Sequence, residues 1–319
     1  MTKEMTMRSW MTPVLALGLV VLAPSAQAAE PWQQAIASGL GKAGTEMPGG
    51  VYRVGLPRTD LKVTLDGVTL KPTFALGSWL AFRKVGENQA MVMGDLVLTE
   101  DEVNPVMARL LEGGVEITAL HNHLLRSSPS TLYMHVSGHG EPGKLATTLM
   151  GALGASRTPF GAETAAGTPP AGNPSPAPAQ ATPADQTPNL DTAAIDAALG
   201  RKGKLNGGVY AVSVPRAETP KDHGMEVPEA MGSAIAINFQ PTGSGKAAIT
   251  GDFVLTAKEV NPVLAALRQN GIEVTALHNH MLDDEPRLFF MHFWANDNAG
   301  KLAKGLNEAL KHINVAPGG

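Results

Sequence analysis

The amino-acid sequence predicts an α+β fold made of two tandem copies of one unit, each a mainly antiparallel sheet packed with helices. The first observation is a duplication: residues 94–123 align with residues 251–280 without a gap, and twenty of the thirty positions are identical. The second is that strand-like and helix-like segments follow in the same order in both copies. The third is composition, because 43% apolar residues suffice to form a core in each copy.

The chain divides into four segments. Residues 1–28 have a short charged start, an apolar run and a final Ala-x-Ala pattern, which is typical of a cleaved signal peptide. Residues 157–188 contain eight prolines among mainly small and polar residues, so they predict a disordered Pro/Ala-rich linker. The two repeats occupy the remaining segments, 30–156 and 189–316.

Composition and charge exclude several classes of function. A formal net charge of −4 leaves no broad basic surface for nucleic acid. The absence of cysteine excludes disulfides, thiolate metal ligands, cysteine nucleophiles and the lipidated cysteine of a lipoprotein. After the signal peptide, no stretch is apolar over the ~20 residues that a membrane helix needs. We therefore expect an exported, periplasmic protein that is soluble after signal cleavage; the sequence indicates no particular partner.

Each copy begins with a short helix, predicted at 31–42 and 191–202 from the spacing of its apolar residues. A Gly-Gly pair then leads into a strand, at 51–56 or 209–214. The second copy has a different sequence over 216–231, and no strand is predicted there. In the first copy, further strands are expected near 62–70, 77–83 and 90–98.

The next helix has explicit signals at both ends. Thr99 and Glu102 have the spacing of a capping box, in which each side chain binds the other residue's backbone amide, and the same spacing recurs at Thr256. Asn104-Pro105 leaves a later start open. Gly113-Gly114 ends the helix. A hairpin and a final helix complete each copy: 115–123 with 131–138 and then 142–153 in the first, 272–280 with 288–295 and then 298–313 in the second.

Seven of the nine histidines lie in the two predicted hairpins or, for His139, directly after one. Because side chains alternate along a strand, His121 and His123 are expected on one face, together with the apolar residues at 115, 117 and 119. A turn centred near residue 128 pairs His121 with His135 and His123 with Tyr133, and paired residues share a face. A shift of one residue would remove His135 from that face. The corresponding pairs in the second copy are His278 with His292 and His280 with Phe290.

Three converging imidazoles can bind Zn(II), Cu(II) or Ni(II), and the sequence contains no nucleotide-cofactor motif. The predicted metal ligands are His121, His123 and His135 in the first copy and His278, His280 and His292 in the second. Further candidates are His139, Glu141, Asp95 and Asp252, of which the two aspartates also fit a turn or a bulge. Asn122 and Asn279 would orient the hairpin by hydrogen bonds, and Tyr133, Phe290 and Trp294 would line a ligand pocket.

Three functions are consistent with this site. The first is binding of a transition metal, for sequestration, delivery or sensing, with one three-histidine site in each repeat. The second is a metal-assisted hydrolase, which needs a carboxylate base such as Asp95, Glu141 or Asp252 beside the metal. The third is a module that binds a peptide, glycan or small molecule without metal. No catalytic residue is assigned, because histidines on a strand also serve purely structural roles.

The repeated blocks resemble the LppY/LpqO family of exported bacterial proteins, a domain of unknown function. The resemblance rests on residues 94–98, 102–106 and 118–123 and their counterparts between 251 and 280. It extends over nearly all of the mature chain except the linker. It implies an exported location and a duplicated domain, but no activity. The family takes its name from lipoproteins, and this chain departs from that pattern because it has no cysteine.

Overall fold

The computed structural model describes residues 29–160 and 190–318, which form four layers in the order helices, sheet, sheet, helices. The predicted α+β fold in two tandem copies is confirmed, because each repeat contributes one six-stranded sheet with helices packed on it. The predicted signal peptide and residues 161–188 of the predicted linker lie outside the described residues. In the part that is described, no helix has the length and apolar character required to cross a membrane.

The helices and strands have the following bounds. In the first repeat they are α1 (Pro31–Leu40), β1 (Thr45–Met47), β2 (Val51–Pro57), β3 (Thr64–Leu65), β4 (Val68–Thr69), α2 (Pro72–Ala75), β5 (Gly77–Gly86), β6 (Gln89–Leu98), α3 (Glu100–Glu112), β7 (Glu116–His121), β8 (Leu132–Gly140) and α4 (Pro142–Leu153). In the second they are α5 (Thr192–Leu199), β9 (Lys204–Asn206), β10 (Val209–Val214), β11 (Lys221–Asp222), β12 (Met225–Glu226), β13 (Ile235–Gly243), β14 (Lys246–Thr256), α6 (Ala257–Gln269), β15 (Glu273–His278), β16 (Asp284–Glu285), β17 (Leu288–Asn298) and α7 (Ala299–Leu310).

The two large sheets have the same strand order. The first sheet runs β1-β2-β5-β6-β8-β7 and the second runs β9-β10-β13-β14-β17-β15, with antiparallel neighbours throughout. Strands β11 and β12 lie in the segment 216–231, where the sequence predicts none, and they pair with β16 in a small separate sheet. That prediction failed because two-residue strands are too short to show a periodic pattern.

Helices cover the outer face of each sheet. Helices α1, α3 and α4 pack on the first sheet, where Ile36, Val106 and Leu149 are fully buried. Helices α5, α6 and α7 cover the second sheet in the same way. Burial of one such side chain stabilises the fold by about 1.5–3 kcal/mol. Each sheet therefore has its inner face left for contact with the other repeat.

Helix α3 begins at the first of the two predicted starts. Thr99 and Glu102 form the capping box, and Pro105 lies inside the helix, so the later start at Asn104 is wrong. The buried carboxylate of Glu102 has an additional role, because Arg58 donates to it at 2.7 Å and also to the carbonyl of Val97 at 2.7 Å. Burial alone would raise the pKa of Glu102, but hydrogen bonds from Arg58 and two backbone amides lower it. The second repeat has the same pair, Arg216 with Glu259.

We expect Arg58→Met to destabilise the protein by about 3–5 kcal/mol, because it leaves the buried Glu102 carboxylate without its buried cation. Urea unfolding followed by circular dichroism measures the change. Arg109→Met is the matched control, since exposed Arg109 donates only to the Gly151 carbonyl from the surface of α3. Equal unfolding free energies for the two variants would contradict the expectation.

The first repeat extends beyond its predicted boundary at residue 156. The backbone amide of Arg157 donates to Glu102 at 2.8 Å, Thr158 is buried, and Phe160 packs against the core under the helices. Residues 157–160 therefore belong to the packed repeat rather than to the linker. The composition could not reveal this, because these contacts join residues distant in sequence.

The inner faces of the two sheets pack against each other. Val51, Ala81 and Met91 of the first sheet join the core of the second repeat. The strands β7 and β15 meet at this interface, and the hydroxyl of Thr118 donates to the carbonyl of His280 at 2.5 Å. The equivalent bond, from Thr275 to the carbonyl of His123, also measures 2.5 Å. These reciprocal bonds relate the repeats by an approximate two-fold axis and bring the two hairpins together.

Candidate metal centre

Two rows of paired residues position the candidate ligands on the inner faces. In the first sheet Asp95 on β6 lies directly opposite His135 on β8. In the second sheet Asp252 on β14 lies opposite His292 on β17. Because paired residues share a face, each aspartate lies beside a histidine. Both aspartates are inside strands, so the alternative role in a turn or bulge is wrong.

The register of each hairpin differs by two residues from the predicted one. His121 pairs with Tyr133, and His135 pairs with Ala119, whereas the sequence-based register paired His121 with His135. The turn is centred one residue earlier than expected, which shifts every pair by two. An even shift keeps each side chain on its face, so His121 and His135 still converge. In the second repeat His278 likewise pairs with Phe290, and Ala276 with His292.

A bulge at Thr118 changes which face the histidines occupy. The register shifts between Ile117 and Ala119, so that Val115 and Ile117 pack under the outer helices while Ala119 and His121 lie on the inner face. The prediction that all of these residues share one face is therefore wrong. A bulge inserts one extra residue and re-aims the side chains that follow it. The equivalent bulge in the second repeat lies at Thr275.

His123 and His280 lie just beyond the ends of β7 and β15. Each stacks on an aromatic ring of its own repeat, with centroids 3.4 Å apart: His123 on Tyr133 and His280 on Phe290. The neighbouring asparagines hold these turns, because Asn122 donates to the Leu124 carbonyl at 3.2 Å and Asn279 to the Met281 carbonyl at 2.8 Å.

The six histidines form one cluster rather than a separate site in each repeat. Rings of the two repeats contact each other across the interface, stacked for His121–His278 at 3.5 Å and His123–His292 at 3.7 Å between centroids, and tilted for His135–His280 at 3.7 Å. Within each repeat the ligand atoms of the three histidines lie within 4.8 Å of one another, and in the second repeat Asp252 joins its group. The predicted group of three histidines is therefore present in each repeat, and the two groups meet at the interface between the repeats. We call the six residues the histidine cluster.

Each histidine of the cluster has a buried ring nitrogen, Nε2, that makes no hydrogen bond within the described residues. The Nδ1 of His292 lies 2.8 Å from the carbonyl of Gly251, and His135 bonds to the backbone of Gly94 in the equivalent position. A carbonyl only accepts, so Nδ1 carries the proton and Nε2 presents its lone pair. Among residues 29–160 and 190–318, no hydrogen-bond partner reaches the buried Nε2 atoms of His121, His123, His135, His278, His280 and His292. Buried polar atoms nearly always have partners, so six unpartnered nitrogens at one place point to a ligand.

Burial sets the protonation states of these groups. It lowers the pKa of every histidine in the cluster, and repulsion between neighbouring imidazoles adds to the effect for most of them. Neutral imidazoles are the form that binds metal. Burial also raises the pKa of Asp95 and of Asp252, with the Asp252 charge adding to the effect on Asp95.

The two aspartates lie at the edge of the cluster. Asp252 Oδ2 is 3.2 Å from His280 Nε2, and Asp95 Oδ2 is 3.6 Å from His123 Nε2. Each aspartate also has one buried oxygen, Oδ1, without a hydrogen-bond partner. Imidazole and carboxylate together form a ligand set that Zn(II), Cu(II) and Ni(II) accept.

Other candidates from the sequence lie elsewhere. Exposed His139 lies near His223, with ring centroids 5.9 Å apart, and Glu141 caps α4 by accepting from the amides of Gly143 and Lys144. Among the predicted pocket residues, Phe290 is buried beneath His280, and Trp294 packs on Phe74 and donates to Asp66. His139 and Glu141 therefore lie outside the histidine cluster, and Phe290 and Trp294 pack within or between the repeats.

A cavity of about 350 Å³ opens beside the histidine cluster, between the inner faces of the sheets. Five of the candidate ligands contribute to its wall: Asp95, His123, Asp252, His280 and His292. Tyr133 is the one predicted pocket residue that lines it. Arg53 and Trp79 also line it, and neither was identified from the sequence. No signal could have found them, because a single Arg on a predicted strand does not indicate what faces it.

Comparison with known proteins identifies the family. The sequence matches the profile described as Domain of Unknown Function (DUF1259) twice, over residues 34–155 and 193–312. The chain belongs to this family. The DUF1259 matches contain both halves of the histidine cluster, so the duplicated domain of unknown function predicted from the sequence is confirmed.

Curated proteins and solved structures add little about this DUF1259 chain. No curated protein matches its sequence. The crystal structure of PduB, a trimeric bacterial microcompartment shell protein, aligns with 86% of this chain and 95% of its own at 9% identity and a TM-score of 0.25. The crystal structure of EtuB from Clostridium kluyveri aligns with 84% of this chain and 89% of its own at 9% identity and a TM-score of 0.20. Scores this low do not establish a shared fold.

Proposed function

We propose that this protein binds a transition metal, zinc, copper or nickel, in a centre that both repeats build together, for sequestration, delivery or sensing. One observation carries the proposal: six buried Nε2 atoms without hydrogen-bond partners gather at the interface of the repeats. The Nδ1 atoms of His278 and His292 contact backbone carbonyls, which is how the second ring nitrogen of a metal-ligating histidine is usually held.

The ligand geometry is compatible with metal. Tetrahedral zinc with Zn–N bonds of about 2.0–2.1 Å needs nitrogens about 3.4 Å apart. Each group of ligand atoms lies within 4.8 Å, so shifts of about 1 Å or less would complete a site. Methionine ligands are excluded from this picture, because Met134 and Met291 face the cores under the helices and Met281 packs in the core of the second repeat.

Equilibrium dialysis of the signal-free protein with Zn(II), Cu(II) or Ni(II), followed by metal analysis, tests the proposal. We expect at least one equivalent of metal per chain, and two where each group of three histidines holds its own ion. Binding should persist below about pH 6.5 and weaken only at lower pH, because burial lowers the pKa of the cluster histidines and delays competition by protons. Stoichiometry near zero for all three metals would rule the proposal out.

A metal-assisted hydrolase is the second candidate, and the position of two carboxylates supports it. Asp252 and Asp95 lie 3.2 Å and 3.6 Å from histidines of the cluster and line the adjacent cavity. A carboxylate there could accept a proton from a metal-bound water. Ester hydrolysis that needs both the metal and Asp252 would favour this candidate over storage or transport of the metal.

We further propose the LppY/LpqO-like assignment, with export to the periplasm and a disordered linker between the repeats. The support is the repeated sequence blocks, the N-terminal Ala-x-Ala pattern and the proline-rich composition of the central segment. The proposed metal centre uses histidines as ligands and needs no cysteine, which the sequence lacks.

A further inference from the structure

The cavity beside the histidine cluster has a cationic wall that metal binding alone does not explain. Arg53 on β2 lines it, with its guanidinium carbon 4.0 Å from the centroid of the Trp79 ring. One guanidinium nitrogen, Nη1, donates to the carbonyl of Ala230 at 2.7 Å. Within the described residues, no carboxylate lies within the 4.0 Å of an ion pair with Arg53. Its other guanidinium nitrogens make no hydrogen bond to the part of the chain that the structure describes.

Arg53 remains charged in this position. Burial lowers its pKa to about 10, against the opposing attraction of Asp95, so the guanidinium is protonated at neutral pH. A buried or partly buried cation without an anion is unfavourable unless a ligand supplies one. The ring of Trp79 and the Ala230 carbonyl hold the guanidinium in place at the wall of the cavity. The planar fork of a guanidinium matches the two oxygens of a carboxylate.

The balance of charge in the cavity also favours an anion. One divalent ion would neutralise Asp95 and Asp252, and Arg53 would then leave the inner wall positive. A second divalent ion would make the inner wall more positive. Glu229 is the other acidic residue of the lining, and it lies exposed at the rim rather than at the cluster.

The two repeats differ at the positions of Arg53 and Trp79, so the two ends of the cavity differ chemically. The position of Arg53 is occupied by Ala211 in the second repeat, and the position of Trp79 by Ala236. The cavity therefore has one cationic end and an opposite wall of small residues. Arg53 and Asp95 lie on strands two positions apart in the sheet and two residues out of register, so their backbones are about 12 Å apart. A molecule of a few heavy atoms can reach from Arg53 to the cluster, whereas a single small ion cannot.

We propose that the cavity binds a small organic carboxylate, with its carboxylate on Arg53 and its other end toward the metal of the histidine cluster. The metal contact and the charge balance rest on the proposed function, but the position of Arg53 in the cavity wall does not. A cavity of about 350 Å³ suits such a ligand. A single guanidinium balances one carboxylate, and the described lining contains no second lysine or arginine to suit a more highly charged anion.

Isothermal titration of the signal-free, zinc-loaded protein with succinate tests the proposal. Inorganic phosphate and uncharged succinamide serve as comparison ligands, and zinc content is measured after each titration. We expect succinate to bind and succinamide not to bind. Arg53→Gln should lower the succinate affinity at least 10-fold with zinc content unchanged, and Arg53→Lys should give an intermediate loss, since it keeps the charge but not the fork.

Arg83→Gln is the matched control, because Arg83 donates to the Glu226 carbonyl at 2.7 Å as Arg53 does to Ala230, but it does not line this cavity. Equal succinate affinities in wild type and Arg53→Gln would overturn the proposal, as would binding of phosphate without succinate. Repeating the titration on zinc-free protein separates the two proposals. Failure of zinc uptake refutes the metal centre alone, and Arg53-dependent succinate binding in that state would still support the carboxylate site.

Discussion

Replacing His121 with alanine is expected to weaken zinc binding at least about 100-fold and to affect the whole centre. Loss of a residue that merely supports a metal ligand already lowers affinity 10–100-fold in metalloproteins, so loss of a ligand should exceed this. His121 lies at the middle of the cluster, with its ring 3.5 Å from His278, 4.9 Å from His123 and His135, and 5.5 Å from His292. One change in the first repeat therefore reaches ligands of the second.

Competition titration with a zinc-binding dye measures both affinity and stoichiometry for this variant. His139→Ala is the matched control, because His139 follows His135 along β8 but lies outside the cluster. The zinc affinity of the His139→Ala variant should equal that of wild type. If His121→Ala lost half of the bound zinc while the rest kept its affinity, the repeats would hold independent sites and the shared centre would be wrong.

The metal-free protein is expected to lose about 2–5 kcal/mol of unfolding free energy between pH 6.5 and pH 5.5. Burial lowers the pKa of the cluster histidines, so they are neutral when folded and take up protons near pH 6.5 when unfolded. The unfolded state then binds more protons, and stability falls as pH falls. Each such histidine contributes about 1.4 kcal/mol per pH unit, and the most enclosed ones are His123, His135, His280 and His292.

Asp95 and Asp252 oppose part of this effect. Their pKa values are raised in the folded state, so they take up protons there and stabilise the fold as pH falls, each by up to about 1.4 kcal/mol per pH unit. Urea unfolding at several pH values measures the net slope, and His123→Gln with His280→Gln in one chain should make it shallower. A slope unchanged in that double variant, or an unfolding free energy independent of pH, would contradict the expectation.

Local patterns in the sequence were sufficient to predict the repeat, the helix caps and the convergence of three histidines in each hairpin. The Thr-x-x-Glu spacing gave one of the two predicted starts of α3, and it is the one that the structure has, since both partners of a capping box lie within one turn. The alternation of side chains kept His121 and His135 together even though the predicted register was wrong, because an error of two residues does not change the face.

The rest depended on contacts that no local pattern records. The bulge at Thr118 has no composition signal, yet it decides that His121 faces the other repeat. Periodicity shows which side of a strand is covered, but it does not show what covers it, so the stacking of His121 on His278 could not be predicted. Arg53 is far from the histidines in sequence and reaches their cavity only because β2 and β6 share a sheet.

The reciprocal bonds of Thr118 and Thr275 have a consequence for chains that carry a single copy of this unit. Such a chain could assemble an equivalent pocket only as an isologous homodimer, in which one surface meets its own image across a true dyad. Joining both halves in one polypeptide replaces that encounter with an intramolecular one and makes assembly independent of protein concentration. The two halves of one polypeptide can also differ in sequence, and Arg53 in the first repeat with Ala211 at the equivalent position of the second is an example.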